Sequence, residues 1–289
     1  MILSEFSATI STMGVFFVMK RLKSYLIALG LIIIALLIIF LRQGVGFHIF
    51  GEYEKADQYT TGGGKISIPF KSVEISWVSG HINIETSKDI HATFTESSNQ
   101  KLNKHQTMHW LLDGDTLRIK ACESSLNGIA LPQKDLTLTL PETLDLEEVK
   151  ISVVSADTKV HDLKADSLAF NSTSGSLSGD ARIGALKTST VSGNVDLNAG
   201  SLQTISTGTT SGQIKLKLDT VPETIFSDSV SGDVELNFPT DANFCVNFHS
   251  VSGELKTSIP NVKEEKTHRF GSGGPTYAIE SVSGDLTIQ

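Results

Sequence analysis

The stretch Ser229–Leu236, "SVSGDVEL", decides the fold, because it recurs as "SVSGEL" from Ser250 and as "SVSGDLTI" from Ser281. Near-identical segments within one chain are the sequence signature of repeat proteins. Counted from the serine of each Ser-Gly pair, the steps between Ser155 and Ser252 are 19, 18, 19, 20 and 21 residues. This near-constant step predicts a stack of structural units of about 19 residues each.

The repeated feature of each unit is a Ser-Gly pair, which we interpret as a structural corner between two strands. A degenerate corner falls at Ser155, where Ala156 replaces glycine. The regular corners are Ser79, Gly80, Ser174, Gly175, Ser192, Gly193, Ser211, Gly212, Ser231, Gly232, Ser252, Gly253, Ser283 and Gly284. Glycine suits a corner because it accepts backbone angles that other residues resist, and serine can bond locally to the turning backbone.

Apolar residues alternate on both sides of each corner, which indicates strands with one buried face. Around Ser231 we expect Ile225, Val230, Val234 and Leu236 to point inward, with the phase slipping by one residue just before the Ser-Gly pair. A second, looser turn follows eight to ten residues after each serine. The sequence therefore predicts an all-β, single-stack β-solenoid, with a β-sandwich as the alternative.

Two segments interrupt the period. Residues from about 86 to 148 form a strand-rich insertion, which we expect to cap the N-terminal end of the solenoid, since an open end would expose unpaired backbone groups. At the other end the step from Ser252 to Ser283 lengthens to 31 residues. Any functional site is expected in one of these two interruptions.

The N-terminal region predicts a membrane anchor. Residues 24–42 read as one transmembrane helix, flanked by Lys20, Arg21 and Lys23 on one side and by Arg42 on the other. This asymmetry predicts a cytoplasmic segment at 1–23, a flexible linker at 43–64 and an extracytoplasmic domain at 65–289. A cleaved signal peptide is the alternative, and the sequence leaves open whether translation starts at Met1 or Met19.

The charge of the chain limits its expected binding partners, and its two cysteines allow at most one disulfide. The chain carries 24 basic and 32 acidic residues, and without residues 1–42, which hold four basic and one acidic residue, the net charge is −11. Such a domain repels phosphate backbones, so no nucleic-acid partner is predicted, and cations or cationic peptides would be attracted. Cys122 and Cys245 could form one disulfide or remain two buried thiols.

The segments "LTLTLPETLDLEEVKISVVSADTKVHDL", "TSTVSGNVDL" and "SVSGDVEL" resemble the bacterial "putative adhesin" domain family. The resemblance covers residue 65 to the C-terminus. Together with one N-terminal helix it resembles the membrane-anchored, LiaG-like form, which is associated with the cell-envelope stress response. The resemblance implies an extracytoplasmic β-solenoid and brings no catalytic residues.

Candidate chemical sites each have a simpler structural interpretation. The residues two after each corner serine (Asp157, Ser176, Asn194, Gln213, Asp233, Glu254 and Asp285) would stack as a polar ladder, which suits backbone hydrogen bonds better than calcium. His105 and His109 have the spacing of zinc ligands on a helix, but the segment reads as a strand. Asp113 and Asp115 fit a hairpin turn, and Trp77 fits packing. No catalytic residue, metal or cofactor is predicted.

These observations favour a non-enzymatic binding or scaffolding protein of the cell envelope. Its expected contacts are the membrane, through the N-terminal helix, and an envelope protein or cell-wall glycan. A polysaccharide-active β-helix enzyme and a passive structural spacer are the alternatives.

Overall fold

Twenty-two strands make up the part of the chain that the computed structural model describes, residues 53–123 and 132–289. A 3-10 turn at Ala56–Gln58 precedes them. The strands are β1 (Thr60–Thr61), β2 (Gly64–Ile66), β3 (Ser72–Trp77), β4 (His81–Ser87), β5 (Ala92–Ser98), β6 (His109–Asp113), β7 (Thr116–Lys120), β8 (Lys134–Pro141), β9 (Glu148–Val153), β10 (Asp157–Ser172), β11 (Leu177–Thr190), β12 (Val195–Ala199), β13 (Thr204–Thr209), β14 (Ile214–Leu218), β15 (Thr224–Ser229), β16 (Val234–Asn237), β17 (Phe244–Ser250), β18 (Leu255–Thr257), β19 (Asn261–Glu264), β20 (Thr267–Phe270), β21 (Thr276–Ser281) and β22 (Leu286–Ile288).

The predicted cytoplasmic segment 1–23, the predicted helix 24–42 and residues 43–52 of the predicted linker lie outside the described residues. Within residues 53–123 and 132–289, no helix combines the length and the apolar character needed to cross a membrane.

The strands form two parallel stacks that meet at the Ser-Gly corners. Sheet A holds the strands that precede the corners, in the order β7, β3, β9, β10, β11, β13, β15, β21 and β17. Sheet B holds the strands that follow them, in the order β8, β4, β10, β11, β12, β14, β16, β22 and β18. Strands β10 and β11, with 16 and 14 residues, run through both sheets.

Equivalent residues of successive coils face each other in register, as the repeat predicts. Val195 pairs with Ile214, Ile214 with Val234, and Val234 with Leu286, so that one apolar ladder runs through sheet B. All four side chains are buried between the sheets. Because neighbouring strands are about 4.8 Å apart, each such row is a continuous strip of core. The all-β, solenoid-like architecture predicted from the sequence is confirmed.

The spatial order of the coils departs from their order in the sequence at both ends. The last coil, β21 and β22, lies between the Ser231 coil (β15, β16) and the Ser252 coil (β17, β18). At the other end the coil of β3 and β4 lies between β7 and β8 on one side and β9 and β10 on the other. The coil of β3 and β4 and the coil of β21 and β22 therefore each lie one layer inside the ends of the two sheets.

Antiparallel strands cover three of the four sheet ends. In the predicted insertion, β7 and β8 add one parallel layer to each sheet, and β6 and β5 then pair antiparallel with them. Strands β1 and β2 extend these covers. At the far end β20 and β19 cover sheet A, whereas β18 ends sheet B with one edge unpaired among the described strands.

Residues 53–64, which belong to the predicted linker 43–64, pack against this cap. Strand β1 pairs with β6, and the Tyr53 hydroxyl donates to the Cys122 carbonyl at 2.8 Å. Gly63 and Gly64 suggested flexibility, but a Cβ at Gly63 would lie 2.8 Å from the Phe94 carbonyl oxygen, and one at Gly64 would overlap the Phe94 ring. These glycines permit close packing.

The expected phase of the corner strands is also corrected. Ser227 and Ser229 point into the core beside Ile225, whereas Val230, expected to be buried, is only half-buried. The alternation therefore continues unbroken to Ser229 and slips at the corner itself. The second turn is likewise absent in β10 and β11, which bend instead, β10 at a bulge around Asp162, where φ is 50°.

Candidate functional site

Each predicted corner lies at the junction of a sheet A strand and a sheet B strand, on one edge of the stack. The Ser231 amide donates to the Thr210 carbonyl of the neighbouring coil at 2.9 Å, and its hydroxyl contacts the same carbonyl at 3.1 Å. The Ser155, Ser252 and Ser283 hydroxyls bond in the same way. The corner serines thus join neighbouring coils, a longer-range role than the local bond expected.

Close approach, more than backbone angle, requires glycine at these corners. Of the seven corner glycines only Gly80 has φ in the left-handed region, at +100°. A Cβ on Gly232 would lie 2.9 Å from the carbonyl carbon of Gly212 in the next coil, and closer still to its oxygen. The same clash recurs at Gly175, Gly193, Gly212, Gly253 and Gly284, each against the corner of the coil beside it.

A row of buried hydroxyl groups, which the sequence reasoning missed, lies two residues before the corner serines. Ser172 donates to the Gly175 carbonyl at 2.6 Å, and Thr209 accepts from the Gly212 amide at 2.8 Å. Thr190 donates to Thr209 at 3.1 Å, which links adjacent coils. The recurrence of Ser or Thr at this position was the available signal.

The polar side chains two residues after the corner serines accept hydrogen bonds from backbone amides. The Asp157 carboxylate accepts from the Ser176 amide at 2.9 Å, and the Asn194 side-chain oxygen accepts from the Gln213 amide at 2.9 Å. Asp285 accepts from the Glu254 amide at 2.8 Å. The Lys256 ammonium, and then this amide, lower the pKa of the Asp285 carboxyl. These oxygens therefore accept hydrogen bonds from backbone N–H groups of the neighbouring coil.

The edge opposite the corners carries an open groove, made of two adjoining hollows of 420 and 720 Å³. Both share Leu146, Lys164 and Arg182. Its rim cations are paired with carboxylates: Lys164 lies 3.8 Å from Asp145, and Arg182 lies 3.4 Å from Asp162. Exposed pairs of this kind contribute little stability and remain available to a ligand.

A buried ionic network lies where the predicted insertion meets the first corner. The Lys134 ammonium is 2.9 Å from the Glu96 carboxylate, and both side chains are less than a tenth exposed. It also lies 4.8 Å from the ring centre of Trp77, whose indole N–H donates to the Lys134 carbonyl at 2.9 Å. Burial lowers the pKa of Lys134. Trp77 is fully buried, so it packs the first coil.

The remaining candidate residues do not converge on one site. His105 contacts Glu123, whereas His109 is buried in β6 against Thr61 and the Thr107 carbonyl. Asp113 pairs with Lys55 at 2.6 Å, and Asp115 lies in the turn between β6 and β7.

The cysteines and the metal-ligand residues can be placed in the same way. Cys122 follows β7 at one end of sheet A and Cys245 lies in β17 at the other, both as free thiols. In the two described ranges no three His, Cys, Asp or Glu side chains are grouped to hold a metal ion.

Three bacterial proteins are among the solved structures to which the chain is similar. The "putative lipid binding protein" of Parabacteroides distasonis is 15% identical over 78% of this chain and 96% of its own, with a TM-score of 0.43. A "putative cell adhesion protein" of Clostridium sporogenes is 11% identical over 79% and 99%, with a TM-score of 0.38. A "putative adhesin" of Parabacteroides distasonis is 14% identical over 79% and 97%, with a TM-score of 0.35.

No curated protein matches the chain. The family described as "Toastrack DUF4097" matches residues 65–289, which comprise the whole stack from the middle of β2 to the C-terminus. The chain belongs to the Toastrack DUF4097 family.

Proposed function

We propose that this protein is a membrane-anchored, extracytoplasmic binding and scaffolding protein of the bacterial cell envelope. It would correspond to the LiaG-like form and act in the envelope stress response without catalysing a reaction. The observation that carries the proposal is the stack itself. Its repeated serine and polar side chains form hydrogen bonds between coils, as at Ser231 and Asp157. The stack is therefore continuous and presents extended outer faces to a partner.

The N-terminal sequence supports a role at the membrane. The predicted helix at 24–42 would place the domain outside the cell. The described part of the domain includes Tyr53 and β1, because the Tyr53 hydroxyl donates to the Cys122 carbonyl and β1 pairs with β6.

Single-cysteine labelling of the full chain in intact cells tests the topology. In a background with Cys122→Ala and Cys245→Ala, Ile68→Cys offers an exposed site on the domain, since Ile68 is 66% exposed. Leu22→Cys, before the predicted helix, is the matched control. A membrane-impermeant maleimide should label the cysteine at 68 in intact cells and the one at 22 only after lysis. The reverse pattern would refute the proposed orientation.

Sedimentation with purified cell walls and crosslinking to envelope proteins test the binding role. We expect the full chain to be retained by one of these partners. The same assay on a variant with Lys164→Glu and Arg182→Glu measures how much the groove contributes to this binding. A spacer would show neither retention nor specific crosslinks. Release of soluble sugars from polymeric uronates or cell-wall glycans would instead support the enzyme alternative.

A further inference from the structure

One half of the outer face of sheet A differs in charge from the other. On β13, β15, β21 and β17 the outward side chains include no lysine or arginine, whereas Lys150 and Lys187 lie on β9 and β11 of the same face. We define the patch by these outward positions: Thr204, Ser206, Gly208, Thr224, Phe226, Asp228, Thr276, Ala278, Glu280, Cys245, Asn247 and His249.

Phe226 lies at the centre of this patch and is 45% exposed. Its register partners on the neighbouring strands are Ser206 in β13 and Ala278 in β21, whose side chains are too small to cover an aromatic ring. An exposed aromatic ring between small residues offers both an apolar surface and a ring face that attracts cations.

Two carboxylates lie beside the ring without a cationic partner. Asp228 follows Phe226 by two residues on the same face, and its register partners are Glu280 in β21 and Gly208 in β13. Of the ion pairs within the described residues, none involves Asp228 or Glu280. Partial burial, and then the neighbouring Glu280, raise the pKa of Asp228. His249 continues the row next to Glu280.

We propose that the patch around Phe226, Asp228 and Glu280 is a docking surface for a basic segment of a partner protein, which inserts an arginine or lysine side chain between the ring and the two carboxylates. The argument is charge complementarity. The unpaired carboxylates repel each other until a cation joins them, and the ring packs against the stem of the incoming side chain. The net charge of −11 outside the predicted anchor region draws such a segment in at long range. This inference deepens the proposed binding role by naming the chemistry of the partner.

Binding of a labelled peptide to the full chain in mild detergent tests the proposal. The probe alternates arginine with serine, and its matched control carries citrulline, the neutral isostere, in place of each arginine. We expect the arginine peptide to bind and the citrulline peptide to fail. The double variant Asp228→Asn, Glu280→Gln should weaken binding by about tenfold, because it removes charge-assisted contacts. Phe226→Ser should weaken it by about threefold, as the loss of an exposed cation–π contact would.

Two controls separate this site from general charge attraction and from a structural role. Asp196→Asn with Asp57→Asn removes two exposed carboxylates outside the patch, one on β12 and one in the 3-10 turn, and should change binding by less than about twofold, since screened distant charges contribute little. The Asp228, Glu280 variant should keep or raise the melting temperature, because it relieves repulsion.

Several outcomes would overturn the proposal: equal weakening by both double variants, equal binding of the citrulline peptide, or a lower melting temperature for the Asp228, Glu280 variant. Binding of phosphatidylcholine vesicles in a Phe226-dependent manner, without arginine-peptide binding, would assign the patch to a lipid headgroup instead. Reversed labelling at position 68 would refute the envelope location and leave the peptide result intact.

Discussion

Replacing Gly232 by alanine should destabilise the stack severely, because the added methyl group has no room. Its Cβ would lie 2.9 Å from the Gly212 carbonyl carbon, closer still to the oxygen, and 3.0 Å from the Thr209 Cγ2. The obstacle is backbone of the next coil, which cannot rotate aside as a side chain could. Gly208→Ala is the matched control, since the nearest atom to its Cβ is the Thr188 oxygen at 3.9 Å.

The loss of stability follows from the contacts that break when the neighbouring coil is pushed away. Separating the coils at Gly232 would break the bonds from the Val230 and Ser231 amides to the Thr209 and Thr210 carbonyls, which are 3.1 and 2.9 Å long. Each contributes about 0.5–1.5 kcal/mol, and overpacking adds about 1–3 kcal/mol. We therefore expect a loss of about 2–6 kcal/mol, which lowers the melting temperature of a domain of this size by roughly 10 °C.

Thermal unfolding followed by far-ultraviolet circular dichroism measures this directly. The Gly208→Ala variant should unfold within about 2 °C of the unmodified chain, since it adds an ordinary contact. If Gly232→Ala unfolded at the same temperature as Gly208→Ala, close approach between coils would not be the reason for glycine at the corner.

Two further predictions concern the cap. Lys134→Met should lower the free energy of unfolding by about 3–5 kcal/mol, because it leaves the Glu96 carboxylate buried without its cation. The double variant with Glu96→Leu should recover part of this loss, as measured by urea unfolding. A double variant no more stable than the single one would contradict this explanation. Burial lowers the pKa of His109, so below its ordinary pKa the unfolded chain binds more protons than the folded one, and stability should fall as the pH drops from about 7.5 to about 5.5. In His109→Gln that pH dependence of the melting temperature should be smaller, and an unchanged slope would mean that other groups cause it.

The repeat alone was enough to predict the all-β, solenoid-like architecture, because a constant step with alternating residues permits few other folds. The inward side of each corner strand was harder to predict. Ser227 and Ser229 are polar yet buried, because the Ser229 hydroxyl donates to the Gly232 carbonyl inside the corner and the Ser227 hydroxyl accepts from Thr207 of the neighbouring coil. Val230, in contrast, is apolar yet half-exposed. Residue polarity misleads where a buried hydroxyl can be satisfied locally.

The spatial order of the coils could not be predicted for a different reason. The copies at Ser231, Ser252 and Ser283 are so alike that any one can stack on any other with similar contacts. The choice then depends on the long connection through β19 and β20, whose covering of β17 leaves the last coil only the inner place. The patch at Phe226 was equally hidden, because Ala278 and Glu280 become its neighbours only through this reordering.

The inner place of the last coil also dictates when the domain can be completed. Strands β21 and β22 follow β17 and β18 in the sequence, yet β17 and β18 reach the stack only through them. The coils up to Ser231 can stack in the order of the sequence, but β17 and β18 can join only once β21 and β22 are in place. This end of the stack would therefore form in a single step, and removal of β21 and β22 should detach the Ser252 coil as well.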